Sequence, residues 1–191
     1  MLVIAAVVTI TLVSDRDVGD GTRDGPQDEV GIAGPRVEGD RYAFGLPPGW
    51  TDQPSARGLF STRGDAQALH VLSSSPDPRE LSRNGYVTVV RAAGGAAPID
   101  LGRSVSEFVR GARSTGVDAR LRGTPRRVDL AGEEAVAFEF VISSRGLRLR
   151  GRGVNAVHDG ALYSVALTVA ERAYPRAVPK LRHVTSTWRW R

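Results

Sequence analysis

The most regular set of chemically useful side chains is an alternating row of arginines, Arg148, Arg150 and Arg152. On a β-strand, alternate side chains project from the same face about 7 Å apart. Guanidinium groups bind phosphate and carboxylate with two parallel hydrogen bonds. The row therefore predicts an anion-binding patch, and the alternative is a solvated face or arginine stems that cover apolar surface. Five further arginines are candidates to extend it: Arg120, Arg122, Arg126, Arg127 and Arg145.

Three histidines are the obvious candidates for acid–base chemistry or metal binding, namely His70, His158 and His183. None has metal-ligand spacing such as H-x-x-x-H or H-E-x-x-H. We expect His70 to be exposed on its strand, His158 to be solvated in a turn, and His183 to lie on a helix face. A Ser-His-Asp site is assembled in space, so the sequence leaves that arrangement open.

The other motifs of enzymes and nucleotide-binding proteins are missing from the sequence. It contains no G-x-S-x-G, no G-x-G-x-x-G and no P-loop. The carboxylate pair Glu133-Glu134 lies at a strand start, where neighbouring side chains point to opposite faces and cannot easily share a proton. We therefore predict a protein that is not an enzyme and that has no metal site and no cofactor.

Charge is distributed unevenly along the 191 residues. Residues 1–40 hold eight acidic side chains against three arginines, a net charge of −5, and residues 41–191 carry +10. A basic domain favours anionic partners such as lipid, wall polymer or nucleic acid. Only Lys180 is a lysine, and so strong an arginine bias is also typical of GC-rich coding. The chain has no cysteine, which excludes disulfides, thiolate metal sites and a Cys nucleophile.

An apolar run occupies residues 2–13. As a helix it spans about 18 Å, whereas a bilayer core is about 30 Å thick. No basic n-region precedes the run and no A-x-A-like site follows it, which weakens its assignment as a signal-peptide h-region. We expect the natural chain to begin upstream of Met1, with the run as the end of a longer membrane helix. A buried strand is the alternative, because Val and Ile also favour strands.

The next segment, residues 14–40, is rich in Asp, Gly and Pro and poor in large apolar residues. This composition predicts an acidic, disordered tether. A tether of this length favours membrane insertion of the first segment, because a core strand is rarely so far from its domain. We therefore expect three parts: a truncated anchor or signal segment over 1–13, the tether over 14–40, and one folded domain over 41–191.

Apolar alternation and turn residues predict the elements of that domain. Asp159-Gly160 and Ala131-Gly132 are predicted turns, and Gly151 or Gly153 is a predicted bulge. Ser104 and Glu107 form a capping box that begins one helix, and Pro179 lies in the first turn of another. Trp50, Trp188 and Trp190 are predicted core or rim residues. The predicted strands are 42–46, 58–61, 68–72, 86–90, 127–130, 134–142, 147–157 and 162–169.

Three short motifs stand in a characteristic order: Leu46-Pro47-Pro48-Gly49-Trp50, then Asp129 to Ala135, then Ser186-Thr187-Trp188. With the mid-chain helix and the long meander, this order resembles the PsbP-like superfamily, especially its exported bacterial members, some of which are actinobacterial lipoproteins. The resemblance covers about residues 41–191. It implies an α+β fold, an antiparallel sheet flanked by helices, and a non-enzymatic binding or accessory role. Such exported relatives often carry a lipobox Cys, which this chain lacks.

These observations support a membrane-tethered, extracytoplasmic binding module, or a secreted one if the first segment is cleaved. Its expected partner is a protein or an anionic lipid or wall polymer. A basic nucleic-acid-binding protein is the alternative, although few aromatics accompany the arginine row to stack on single-stranded bases. A hydrolase that uses one of the histidines is the weakest of the three hypotheses.

Overall fold

The computed structural model describes residues 6–8, 34–62, 66–77, 80–94, 98–144 and 146–191. An antiparallel sheet dominates it, with the strand order β4-β6-β7-β12-β11-β10-β8 and with β9 also paired to β10. Its strands are β4 (Thr51–Asp52), β6 (Ala66–Ser73), β7 (Tyr86–Ala92), β8 (Asp118–Leu121), β9 (Arg126–Leu130), β10 (Glu133–Ser144), β11 (Leu147–His158) and β12 (Ala161–Ala170). The predicted antiparallel meander is confirmed.

Two tight turns connect the longest strands as the sequence predicts. Ala131 (φ 54°) and Gly132 (φ 93°) connect β9 to β10, and Asp159 (φ 49°) and Gly160 (φ 69°) connect β11 to β12. Positive φ at both central residues is the geometry that matches the right-handed twist of the flanking strands.

Helices cover both faces of this sheet. α2 (Leu101–Arg113) packs on the face that presents Phe138, Phe140 and Leu149, and α3 (Tyr174–Thr187) packs on the face that presents Val165 and Leu167. Both parities of the central strands are therefore buried, and β12 is buried from Ala161 to Val169. The predicted α+β architecture, an antiparallel sheet with flanking helices, is confirmed.

The predicted bulge at Gly151 or Gly153 is wrong. β11 pairs with β10 and with β12 without a register shift along its whole length. The buried side chains of β11 change from one face to the other along the strand, because α2 packs on one face and α3 on the other. The glycines instead make room for aromatic rings: a Cβ on Gly153 would lie 2.5 Å from Cζ of Phe138, and one on Gly151 would collide with the ring of Phe140.

A second, three-stranded sheet has the order β13-β3-β2, formed by β2 (Arg36–Glu38), β3 (Tyr42–Gly45) and β13 (Arg189–Trp190). β2 lies upstream of residue 41, where we expected the domain to begin, because Val37 is buried in the main core cluster. All four residues of β3 are buried, because the sheet is packed from both sides.

Both helices begin earlier than their sequence signals indicate. The Asp100 carboxylate accepts a hydrogen bond from the Arg103 N–H at 3.1 Å, which makes Asp100 the N-cap of α2. Ser104 lies inside the helix and donates to the Leu101 carbonyl. Pro175, rather than Pro179, occupies the first turn of α3, and Pro179 lies within the helix.

Shorter elements complete the described structure. A 3-10 helix (Pro54–Leu59) precedes β5 (Phe60–Thr62), where the sequence predicts a single strand. α1 (Leu81–Asn84) and β8 have no counterpart among the elements predicted from the sequence. A second 3-10 helix, Glu171–Ala173, leads into α3.

Near the N-terminus, Ala6–Val8 forms β1, a strand paired antiparallel with β5. The remainder of residues 1–33 lies outside the described residues, so the anchor and most of the tether stay predictions. Among the described helices, none has the length and apolar character needed to cross a bilayer.

Candidate functional site

The arginine row on β11 lies on the face of the sheet that α3 covers. Its members alternate with the phenylalanine-facing glycines, and Arg152 stands directly opposite Glu139 of β10. Arg148 Nε contacts Glu171 at 2.7 Å. Arg150 contacts Glu139 at 2.7 Å, and its guanidinium lies 3.9 Å from the ring centroid of Tyr174. Arg148 and Arg150 therefore fasten the start of α3 to the sheet.

Glu139 has a strongly cationic environment. Burial alone would raise the pKa of its carboxyl, but the hydrogen bond from Arg150 and the charges of Arg150 and Arg152 hold that pKa below its usual value. The carboxylate is therefore ionised at neutral pH and is already bound by Arg150. Arg152 makes no ion pair or side-chain hydrogen bond with any described residue.

A cleft opens beside Arg152 because β8 and β9 both pair with β10 but leave a gap between them. β9 pairs with residues 133–137 of β10 and β8 with residues 140–143, which leaves Phe138 and Glu139 between them. The connecting loop passes this gap, and the Arg122 N–H donates to the Glu139 carbonyl at 2.8 Å. The resulting cleft has a volume of about 380 Å³.

Three arginines line this cleft: Arg122, Arg126 and Arg152. We call it the arginine cleft. Arg126 stands opposite Ala137, whose side chain belongs to the α3-side core, so Arg126 shares the face of Arg152. Arg127 points to the other face and binds Glu134 at 2.6 Å. No described carboxylate forms an ion pair with any of the three cleft arginines, and only Glu139 contributes a negative charge to the lining.

A second cavity of about 140 Å³ lies on the other side of Arg152, between β11 and α3. Val154, Val178 and Leu181 form its apolar lining, and Arg182 and Thr185 complete it. Arg152 lines both spaces. The combined site can hold an anion on guanidinium groups and an apolar group beside it.

The row predicted from the sequence and the site found in the structure thus share one residue. Arg152 belongs to both, whereas Arg148 and Arg150 are occupied by carboxylates. Arg122 and Arg126 were among the proposed extensions, and alternation across β9 could have separated Arg126 from Arg127. Arg120 is exposed and pairs across from Val141, next to the site, and Arg145 lies outside the described residues.

His70 is not exposed as predicted, because its side chain is only 12% accessible. An irregularity between Ala68 and His70 turns the ring toward the core face, where it meets Tyr42 and Phe44 edge-on. Its Nδ1 lies 2.7 Å from Asp52 Oδ2, which Arg57 also contacts at 2.6 Å. Burial alone would raise the pKa of Asp52, but hydrogen bonds and charge from His70 and Arg57 hold it below its usual value.

His158 is not solvated either. Its ring is 14% accessible and stacks on Trp190 at a centroid distance of 4.3 Å, and its Nδ1 lies 2.9 Å from Glu133 Oε1. His183 lies on α3 as expected, close to Gly45. Among the described residues, no group of His, Asp and Glu is arranged to hold a metal ion. The pairs His70–Asp52 and His158–Glu133 connect neighbouring strands beside the aromatic core.

Solved structures resemble this fold at low sequence identity. CyanoP, the cyanobacterial PsbP of Synechocystis sp. PCC 6803, matches with a TM-score of 0.61 and 16% identity, covering 87% of this chain and 98% of that protein.

The chain has the PsbP-like fold.

A second similar structure is LpqN of Mycobacterium tuberculosis, a protein involved in cell envelope biogenesis, with a TM-score of 0.52 and 12% identity. That alignment covers 84% of this chain and 86% of LpqN. No protein-family model and no curated protein sequence matches the chain. At these identities the structural likeness shows the fold alone.

Proposed function

We propose that this protein is a non-catalytic module that acts outside the cytoplasmic membrane and binds an anionic component of the cell envelope. The observation that carries the proposal is the arginine cleft, where Arg122, Arg126 and Arg152 line one space without described ion-pair partners. Guanidinium groups on strands and on a loop fixed to a strand are preorganised for a multivalent anion.

Location outside the membrane is supported by two features of different origin. The sequence joins an apolar segment over residues 2–13 to an acidic stretch and then to a domain of net charge +10. LpqN, whose structure is similar to this one, is involved in cell envelope biogenesis. An envelope-facing domain with a positive surface is attracted to anionic lipid and anionic wall polymer.

Location is tested by labelling an introduced thiol, because the natural chain has no cysteine. Ser106 is exposed on α2, so Ser106→Cys provides one reactive position. In intact cells of the native host, a membrane-impermeant maleimide should label this variant of the full-length protein. The unsubstituted protein is the background control. Labelling that requires cell lysis would place the domain on the cytoplasmic side and contradict the proposal.

Anion binding is tested with the purified protein, by calorimetry with inorganic pyrophosphate. The variant Arg126→Gln should lose at least tenfold in affinity because it removes a guanidinium from the cleft. Arg127→Gln is the matched control, since it removes the same charge from the adjacent residue on the opposite face of β9. Equal losses in both variants would show non-specific attraction instead of a site.

Nucleic acid is the second candidate, favoured by the net charge of the domain alone. The large aromatic side chains that could stack on bases are mostly buried in the described structure, for example Trp50, Trp188 and Tyr42. Binding of single-stranded DNA with a steep salt dependence, lost equally in Arg126→Gln and Arg127→Gln, would favour this function over the proposed one.

A further inference from the structure

We infer that the ligand of the arginine cleft is a phosphate ester whose organic part is apolar, held with its phosphate on Arg122, Arg126 and Arg152 and its apolar group between β11 and α3. This inference rests on the proposed anion binding and names the chemistry of the ligand. Its basis is the position of Arg152, which lines both the arginine cleft and the smaller cavity between β11 and α3, where Val154, Val178 and Leu181 are apolar and Arg182 and Thr185 are polar.

The charge of the cleft selects phosphate over carboxylate. Three arginines line the cleft, and the charge of its one carboxylate, Glu139, is already balanced by Arg150. A phosphate monoester carries roughly two negative charges and three acceptor oxygens near neutral pH, so it can accept from all three cleft guanidiniums. A carboxylate carries one charge and leaves the third arginine unmatched.

Glu139 does not need to be displaced for this ligand to bind. Its carboxylate is held by Arg150, and its lowered pKa keeps it ionised and in that pair. Arg152, opposite Glu139 in the strand register, lines the cleft and forms no ion pair or side-chain hydrogen bond with any described residue. Arg148 and Arg150 are therefore bound to carboxylates, whereas the three cleft arginines have no such partner among the described residues.

The apolar side chains of the smaller cavity bind the organic part of the ligand. Val154 and Leu181 are buried at its base, and Val178 is half-buried on α3. Its volume of about 140 Å³ suits a short aliphatic or ring-shaped group and is too small for a long acyl chain. Each methylene that enters such a space contributes roughly fourfold in affinity, from about 0.8 kcal/mol per buried CH₂.

The test compares inorganic phosphate with ethyl, butyl and hexyl phosphate by calorimetry on the purified full chain. The affinity should rise by about fourfold per added methylene until the cavity is filled. Val178→Ser should abolish this rise, because it replaces an apolar lining side chain of the smaller cavity with a hydroxyl. Val117→Ser, a half-buried valine next to β8 and outside both spaces, is the matched control and should leave the rise intact.

The possible outcomes separate this inference from the proposed function. If pyrophosphate binds but affinity is independent of chain length, the inference is overturned while anion binding stands. If butanoate and hexanoate gain as much as the alkyl phosphates, the selectivity for phosphate is wrong. If no anion binds, both fail.

Two sources of such a ligand, a lipid headgroup and a soluble phosphate ester, are distinguished in a second arm. Vesicles of phosphatidylcholine with 30% phosphatidic acid (about a third anionic lipid) should compete with hexyl phosphate if the ligand is a lipid headgroup. Vesicles of phosphatidylcholine alone are the control. Binding of hexyl phosphate without competition by either vesicle assigns a soluble ester.

Discussion

His158 stacks on Trp190 with a centroid separation of 4.3 Å and an angle of 15° between the ring planes. This contact joins the end of the chain to the β11–β12 hairpin. Trp190 also donates its Nε1–H to the Leu130 carbonyl at 2.8 Å and meets Tyr163 edge-on. The last strand, β13, thereby closes the small sheet onto the main one.

Replacing Trp190 should destabilise the domain measurably. Trp190→Ala removes the stacking on His158 and the hydrogen bond to Leu130, and we expect a loss of about 2 kcal/mol, less than for a fully buried Trp. Urea unfolding followed by intrinsic fluorescence gives the free energy of unfolding. Arg191→Ala is the control, since its side chain is 47% accessible and binds only Glu38. A loss below about 0.5 kcal/mol for Trp190→Ala would contradict the role given to β13.

The two β11 glycines should resist substitution for a steric reason. Gly151→Ala and Gly153→Ala place a methyl group against the rings of Phe140 and Phe138, and the methyl of the first also meets the Leu167 carbonyl oxygen at 2.5 Å. Overpacking of this kind costs about 1–3 kcal/mol, with the larger loss at Gly151 because backbone cannot move aside. Gly58→Ala, with no atom within 4 Å of the new methyl, is the control. Equal thermal midpoints for all three variants would show that β11 accommodates the added methyl groups without steric strain.

The cap of α2 should follow the structure rather than the sequence motif. Asp100→Ala removes the acceptor for the Arg103 N–H and should cost about 1 kcal/mol. Ser104→Ala acts differently: it leaves the buried Asn155 amide without the hydroxyl that accepts from it at 2.8 Å, at a cost of about 1–3 kcal/mol. The double replacement Ser104→Ala with Asn155→Ala should recover part of the loss. A strictly additive double variant would show that the two side chains do not interact.

Arg150 and Arg148 should differ in their contribution to stability, although they are neighbours in one row. Arg150→Ala removes the cation–π contact with Tyr174 and leaves Glu139 without its ion-pair partner, so we expect a loss of about 2 kcal/mol. Arg148 is half-exposed and its pair with Glu171 should contribute less than about 1 kcal/mol. Denaturant unfolding of the two variants measures the difference. Similar losses would contradict the structural role assigned to the pair of Arg150 and Glu139.

Acid should weaken the domain partly through Asp52. The folded-state pKa of Asp52 is lowered, so its contribution to stability is present above the unfolded pKa of about 4 and is lost as the pH falls through the folded value. Asp52→Asn should therefore be less stable than the unsubstituted protein at pH 7, with the difference shrinking below about pH 4. Asp118→Asn, on the exposed start of β8, is the control for loss of a carboxylate. A difference that is constant from pH 7 to pH 3 would contradict the pairing with His70 and Arg57.

Much of the fold follows from local sequence patterns. The alternation of Phe138, Glu139 and Phe140 placed the rings on one face and the carboxylate on the other, as the structure has it. Asp159-Gly160 specified a hairpin because few residues tolerate positive φ at both turn positions. The spacing of Leu181 and Val184 is typical of a buried helix stripe, and both side chains are buried on α3, which ends one residue before the buried Trp188. Each of these signals involves residues close together in the chain.

The environments of the candidate functional residues depend on contacts between segments that are distant in the chain. The prediction that His70 is exposed was wrong. The ring is buried because the small sheet packs on it and because the strand register shifts between Ala68 and His70, and no residue type in the sequence indicates that shift. The glycines of β11 suggested a bulge locally, but the rings of β10 explain them.

The sequence by itself determined the antiparallel strands, the two main helices, the asymmetric charge and the alternating arginines. Only the tertiary structure decided which arginines are occupied. Arg150 meets Glu139 and Arg148 meets Glu171, whereas Arg152, Arg122 and Arg126 line a gap between strands. The physical reason is that periodicity sets the face on which a side chain lies, but its partners are set by the segments that pack against that face, and these are remote in the chain.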